Sequence, residues 1–193
     1  MIKSDGFYDW AWNPVEGCLN GCPYCYARKD FERRGKSFKP TFYPERLNEP
    51  LKITTKKRIF VTHYCDLFGE WVPRNWVLSI LDVIKRSTHD YIFITKNPIR
   101  YYDYEFTDNC ILGVTIESSE KWLRSLIMSE LNNRKMVSVE PLQSSFAGKD
   151  FSQFELVVIG GMIGGMDKVK SEWVNSIKHE NIYYKPNIRK YLK

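Results

Sequence analysis

Seven short apolar runs, rich in β-branched and aromatic residues, punctuate the chain at Tyr8–Asn13, Arg58–Tyr64, Tyr91–Thr95, Ile111–Glu117, Lys135–Glu140, Leu156–Gly160 and Asn181–Lys185. Segments of helical period lie between several of them. Asn75–Arg86 sets Val77, Ile80, Leu81 and Ile84 on one face, with Asn75 as its cap. Ser119–Leu131 repeats the pattern through Trp122, Leu123, Leu126 and Ile127, and Ser171–His179 repeats it through Val174 and Ile177. Strands alternating with helices build parallel β/α units. A closed eight-unit barrel takes roughly 250 residues, so this chain has room for about six units. The expected fold is α/β: a partial, open six-unit parallel β/α barrel. No repeat, low-complexity tract or linker divides the sequence, so one domain over residues 1–193 is expected.

Composition bounds the setting. Hydrophobic residues make up 43% and charged residues 27%, as in ordinary globular proteins. No apolar run approaches the ~20 residues of a membrane span. The opening MIKSDGFYDWAW has no signal-peptide layout, so a cytoplasmic location without membrane association is expected. The net charge of +6 gathers in two places. Arg28–Lys39 carries six basic residues against two acidic ones, and Lys185–Lys193 carries four against none. Such patches attract phosphates or nucleic acid, unless they are only a solvated helix face and a solubilising tail.

Polar and glycine residues collect where the apolar runs stop: Cys65-Asp66, Lys96-Asn97, Glu117-Ser118, Glu140 and Gly160-Gly161. In β/α barrels the carboxyl ends of the strands carry the chemistry, so these positions should face one cleft.

Three of the five cysteines fall in the segment GCLNGCPYCYARKD, spaced C-x3-C-x2-C as Cys18, Cys22 and Cys25. Cysteines so clustered are not a disulfide framework and read as metal ligands. Gly17 and Gly21 free the backbone to wrap a metal centre. Soft thiolates select zinc or iron–sulfur. Structural zinc wants four protein ligands, usually as two pairs, and only the distant His63, Cys65 or Cys110 offers a fourth. Three ligands without an obvious fourth suit a 4Fe–4S cubane with one open iron. Iron–sulfur is favoured, with structural zinc as the alternative.

The spacing, with Tyr24 at the aromatic position of C-x3-C-x-aromatic-C, resembles the radical S-adenosylmethionine superfamily. The resemblance implies a partial six-unit β/α barrel and two cofactors, a 4Fe–4S cluster and S-adenosyl-L-methionine. It also implies an external one-electron donor of flavodoxin or ferredoxin type. In that superfamily the open iron chelates the methionine moiety, and reductive cleavage releases a 5′-deoxyadenosyl radical. The strings WNPVEGC, DLFGEWVP, ITKNP, LGVTIES, SVEPL and LVVIGGMIG are similar to the phage Gp37/Gp68 group of the superfamily. The ITK string is also similar to the spore photoproduct lyases, a DNA-repair branch. The usual Gly-Gly-Glu string after the second strand is absent, and Asp66 stands in its place.

The resemblance gives each candidate a role beside its plainer one. Tyr24 lies near adenine, or is a core aromatic under the loop. Asp66 holds the methionine ammonium, or caps the loop. Lys96, costly to bury without an anion, meets the cofactor carboxylate or a local salt bridge. Glu117 takes the ribose hydroxyls, and Glu140 reaches cofactor or substrate. Gly160 and Gly161, with Gly164 and Gly165, let the backbone approach a ligand or only make a turn. Cys65 returns a hydrogen atom to a product radical, or is a buried small hydrophobe. Trp10, Trp12 and Asn13 shield the cluster, and Cys110 packs. The expected activity is that of a radical enzyme on a nucleotide or nucleic acid. A glycyl-radical activating protein and a non-catalytic zinc-binding interaction module are the competing readings.

Overall fold

The computed structural model describes residues 1–4, 6–162 and 169–192. Its strands are β1 (Ile2–Lys3), β2 (Trp10–Trp12), β3 (Val15–Glu16), β4 (Thr41–Phe42), β5 (Arg58–Val61), β6 (Asp90–Thr95), β7 (Cys110–Thr115), β8 (Arg134–Val139), β9 (Leu156–Ile159) and β10 (Ile182–Tyr184). Its α-helices are α1 (Tyr26–Arg33), α2 (Arg74–Lys85), α3 (Leu123–Ile127) and α4 (Ser171–Asn175). Among the described residues the main sheet runs β1-β2-β5-β6-β7-β8-β9-β10, parallel throughout except at the β1–β2 edge. β3 and β4 form a separate antiparallel pair. The sheet does not close, because β1 and β10 remain its two edges.

Parallel strands are covered on both faces, and the alternation along each strand divides the residues accordingly. Ile59, Phe93, Leu112, Val137 and Val157 face the outer core, where α2 contributes Val77, Ile80, Leu81 and Ile84. Ile92, Ile111, Met136 and Val158 face inward and pack with Phe7. The ring of Phe7 lies 6.3 Å from Phe60 on β5 and 5.8 Å from Tyr183 on β10. In a flat sheet those two strands, five steps apart at ~4.8 Å, would stand roughly 24 Å apart. One ring can touch both only because the sheet is curled into a half-barrel, and Phe7 plugs its floor.

The structure departs from the sequence reading in the crossovers. The expected count of six units is not borne out: seven parallel strands are described, and the β6–β7 and β8–β9 connections carry no described α-helix. The span Ser119–Leu131 divides into a 3-10 turn at Ser119–Lys121 and the short α3. Leu123 and Leu126 are 66% and 56% exposed and do not face the core, whereas Trp122 of the same stripe packs on Phe146 and Phe151. Ser171–His179 is helical only to Asn175. Asn75 lies inside α2, whose cap position is Pro73. Proline at that point already directs the chain into the first turn, so the amide has no capping role. Among the described residues no helix is long and apolar enough to cross a membrane.

Gly113 occupies the middle of the concave face, where a β-carbon would lie 2.5 Å from the Phe93 carbonyl oxygen and 3.0 Å from Met136 Cγ. Glycine inside a central strand marks such a close approach. Gly113→Ala is therefore expected to destabilise the protein by roughly 1–3 kcal/mol through overpacking. Urea unfolding would read this as a lower midpoint at unchanged slope; an unchanged midpoint would show that the inner face has slack.

Candidate functional site

The cysteine loop hangs from the carboxyl end of β2, after the β3 turn, and is held by its backbone. Gly17 adopts φ 88°, and a β-carbon there would sit 2.3 Å from the Lys39 carbonyl oxygen, so only glycine fits. The Gly17 N–H donates to Tyr64 O (3.1 Å) and the Cys18 N–H to Phe38 O (3.3 Å). Cys25 caps α1, its Sγ accepting from the Arg28 N–H at 3.4 Å, while the Arg28 guanidinium donates to Cys18 O at 3.1 Å. Cys18, Cys22 and Cys25 are free, half-buried, and line one cleft of about 220 Å³ at the carboxyl ends of the parallel strands.

Burial pushes the Cys18 thiol above its ordinary pKa, opposed by the backbone N–H groups of Asn20 and Asp66. Burial raises Cys22 as well, opposed by the nearby Lys96 ammonium. Among the described residues no three His, Cys, Asp or Glu side chains converge tightly enough to hold a single metal ion. A structural zinc ion needs four such ligands within ~2.3 Å of one point. A 4Fe–4S cubane asks less of the geometry, since each thiolate takes a different iron. Three soft thiols opening onto one space, with amide donors beside Cys18, meet that chemical requirement.

Beyond the thiols, the ends of β6 and β7 carry a charged network. Lys96 Nζ donates to Glu117 Oε1 (2.8 Å) and to Tyr24 Oη (2.9 Å), and Tyr24 Oη donates to the same Glu117 oxygen (2.9 Å). Arg124 Nη1 holds the other Glu117 oxygen at 2.7 Å. Burial works against the Glu117 charge, but Lys96 and Arg124 outweigh it and hold its pKa below the usual carboxylate range. Burial and the adjacent Glu117 carboxylate push the Tyr24 phenol far up, so it stays protonated. Arg124 is not among the sequence candidates, and no local pattern signals it, because Glu117 lies in the loop before the helix that carries Arg124.

Asp66 is buried and fully engaged. One oxygen accepts from Thr95 Oγ1 (2.6 Å) and the Phe68 N–H (3.3 Å). The other accepts from Asn20 Nδ2 (2.8 Å) and the Lys96 N–H (2.9 Å). It thus ties the cysteine loop to the ends of β5 and β6.

The remaining candidates are placed differently. Cys65 is 8% exposed and lines the cleft, its thiol pushed well up by burial. Glu140, following β8, pairs with Lys185, following β10. Gly160 does not line the cleft: the Glu140 side chain fills the space where its β-carbon would point. Gly161 does line it, with its N–H and C=O bonded to the Asn187 amide at 3.2 and 2.9 Å. Gly164 and Gly165 lie outside the described residues. Trp10, Trp12 and Asn13 do not line the cleft and so do not shield the thiols. Trp12 is wholly buried in the outer core beside Tyr91, because the β2 alternation turns it away from the concave face. Cys110 packs in the same core. None of the basic residues of Arg28–Lys39 lines the cleft, and Arg33 and Arg34 both pair with Asp30. Lys185 does line it, a site residue that the sequence offered only as part of a basic tail. His63 lines it too, following Thr62, whose φ of 57° is a rare conformation for a β-branched residue.

The profile of a family described as "protein of unknown function (DUF5131)" matches residues 5–185. No curated protein matches the sequence. Among solved structures, spore photoproduct lyase complexed with dinucleoside spore photoproduct is similar at a TM-score of 0.58 and 13% identity, over 81% of this chain and 57% of that one. A cysteine-to-alanine mutant of spore photoproduct lyase with the same ligand gives a TM-score of 0.58 and 12% identity, over 83% of this chain and 58% of that one. The chain thus spans a little over half the length of these structures and shares their fold. The Gp37/Gp68 resemblance has no counterpart among these matches.

Burial, reinforced by the Lys185 charge, lowers the His63 pKa to about 4, against ~6.5 for a free imidazole. The unfolded chain therefore takes up this proton first as the pH falls. The stability that neutral His63 confers is complete above about pH 6.5 and is lost as the pH drops toward 4. With allowance for its partial exposure, the loss between pH 7 and 5 is expected to be roughly 1–2 kcal/mol. His63→Leu should remove that part of the slope in urea unfolding at the two pH values; an identical slope would mean the imidazole is solvated.

Proposed function

Because this chain belongs to the family of proteins of unknown function designated DUF5131, its activity is argued from the site, and we propose that it is a radical S-adenosylmethionine enzyme acting on a nucleotide or nucleic-acid substrate. The observation that carries this reading is the C-x3-C-x2-C loop, whose three free thiols open onto one cleft of a curled parallel sheet. The fold shared with spore photoproduct lyase supports it. When bound, a 4Fe–4S cluster supplies the electron that cleaves S-adenosylmethionine and so generates a 5′-deoxyadenosyl radical. Cys18, Cys22 and Cys25 would hold that cluster. No further cysteine cluster stands among the described residues, so the electron is assigned to an external donor of flavodoxin or ferredoxin type.

Lys96 is assigned the cofactor carboxylate, with Glu117, Tyr24 and Arg124 orienting its ammonium from behind. Glu117 Oε1 accepts from Lys96 and Tyr24, whereas Oε2 accepts from Arg124 alone and keeps a lone pair for a ribose hydroxyl. Asp66, saturated by four donors, acts by positioning Asn20 and the Lys96 backbone; contact with a methionine ammonium would displace one of them. Gly161, its N–H and C=O taken by Asn187, lets the cofactor or substrate come close without a side chain in the way, and Gly160 leaves room for Glu140. Cys65 is assigned the return of a hydrogen atom, and Glu140 the substrate; both line the cleft.

Two measurements test the reading. After anaerobic reconstitution with iron and sulfide, the protein should turn brown and release 5′-deoxyadenosine from S-adenosylmethionine on reduction. Cys18→Ala, Cys22→Ala and Cys25→Ala should each lose the iron; full retention in any of them, or stoichiometric zinc in its place, would overturn the assignment. Turnover only beside a copurifying glycyl-loop protein would favour the activating-protein reading. Lys96→Met should keep the iron yet bind S-adenosylmethionine roughly ten- to a hundredfold more weakly, the cost of one charge-assisted hydrogen bond. Equal affinity in equilibrium dialysis would place the carboxylate elsewhere.

A further inference from the structure

The curl of the sheet brings side chains from distant parts of the sequence together at the cleft mouth, where Tyr26, the residue after Cys25, joins them. Phe7 and Phe60 form an apolar floor there, their rings 6.3 Å apart. His63 adjoins Phe60 at 6.3 Å, and Tyr26 lies parallel to the imidazole at 6.4 Å with 16° between the planes. Lys185 lies over the Phe7 ring at 5.8 Å and pairs with Glu140. Two polar groups in this region have no partner among the described residues. His63 Nδ1 is buried without a hydrogen bond. Ser138, 5% exposed on β8, lines the cleft, and its hydroxyl has no hydrogen bond among the described residues.

We propose that this wall is a substrate subsite for a nucleobase, stacked against Phe7, Phe60 and His63 with its edge read by Ser138, Glu140 and Lys185. The assignment rests on the reading of the cysteine end as the cofactor end and names the substrate class of the same site. Flat apolar faces accept any π-system, and base–aromatic stacking is the usual device for holding an unpaired base. The edge narrows the class further. A lysine donor, a carboxylate acceptor, a neutral imidazole and a hydroxyl match the alternating donors and acceptors of a base, and a plain hydrocarbon ring would leave them unsatisfied. A phosphate is a poor fit, because Glu140 cancels the Lys185 charge where the anion would sit.

Equilibrium dialysis of the iron-loaded protein against labelled thymidine and adenosine tests the subsite, with ribose 5-phosphate as competitor. At least one nucleoside should bind, ribose 5-phosphate should not displace it, and Ser138→Ala and Lys185→Met should each weaken it about tenfold. Ser138→Ala removes one oxygen and leaves the packing intact, so it remains informative if Lys185→Met folds poorly. Iron content and S-adenosylmethionine binding, measured on the same samples, should match wild type in both variants. Binding of neither nucleoside, displacement by ribose 5-phosphate, or variants that bind as wild type would overturn the subsite. If iron and S-adenosylmethionine bind and nucleosides do not, the subsite fails while the enzymatic reading stands. If nucleosides bind to a protein that takes up no iron, the reverse holds.

Discussion

The carboxylate of Asp66 is the joint on which the site depends. It lies just beyond β5, almost out of solvent, and its two oxygens accept four hydrogen bonds from three separate parts of the chain. A buried carboxylate is costly unless its lone pairs are filled, and here the backbone and side chains fill them all. Each bond to a charged acceptor is worth ~1.5–3 kcal/mol, so the set outweighs the desolvation of a single charge. Asn20 is fixed by it, and with Asn20 the arc of the cysteine loop between Cys18 and Cys22. The Lys96 amide is fixed by it too, which sets where the lysine leaves β6.

From that joint the charged network follows in steps. Lys96, fixed at its backbone, reaches Glu117 and Tyr24, so the aromatic residue of the cysteine motif is bonded to the ends of two strands. Arg124, on the short helix after β7, holds the far side of Glu117. The network leaves one ammonium beside the thiols, with its counter-charge drawn behind it. Such an arrangement suits a pocket that accepts a carboxylate without exposing a bare cation between visits.

The two ends of the cleft differ in kind. At the ends of β6 and β7 the wall is polar and interlocked, its charges paired through several bonds. Around His63 it is aromatic, with the Glu140–Lys185 pair beside it and the His63 Nδ1 without a partner among the described residues. A closed barrel would bury that second region. Here the sheet stops at β10, and the cleft that His63 and Lys185 both line stays open.

Much of this was legible in the chain itself, because strand alternation and cysteine spacing are local properties. The seven strand positions, the parallel α/β class and the convergence of residues at strand ends all follow from periodicity and from where the apolar runs stop. The cysteine triplet is one loop, so its coherence needed no tertiary information. What only the fold decided involves partners far apart in sequence. That Asp66 and Lys96 are bonded to the protein, that Arg124 answers Glu117, and that Glu140 fills the space left by Gly160 depend on how strands align after the sheet forms. The helical stripe of Ser119–Leu131 misled at Leu123 and Leu126 because a short periodic run specifies a face only when something packs on it, whereas Val174 and Ile177 of Ser171–His179 are buried as expected and only the helix is shorter. Trp12 pointed away from the thiols because one residue of register turns a side chain to the other face of the sheet. Lys185 and His63 meet across the cleft for a reason no local pattern carries: the sheet curls, and curling is a property of all its strands together.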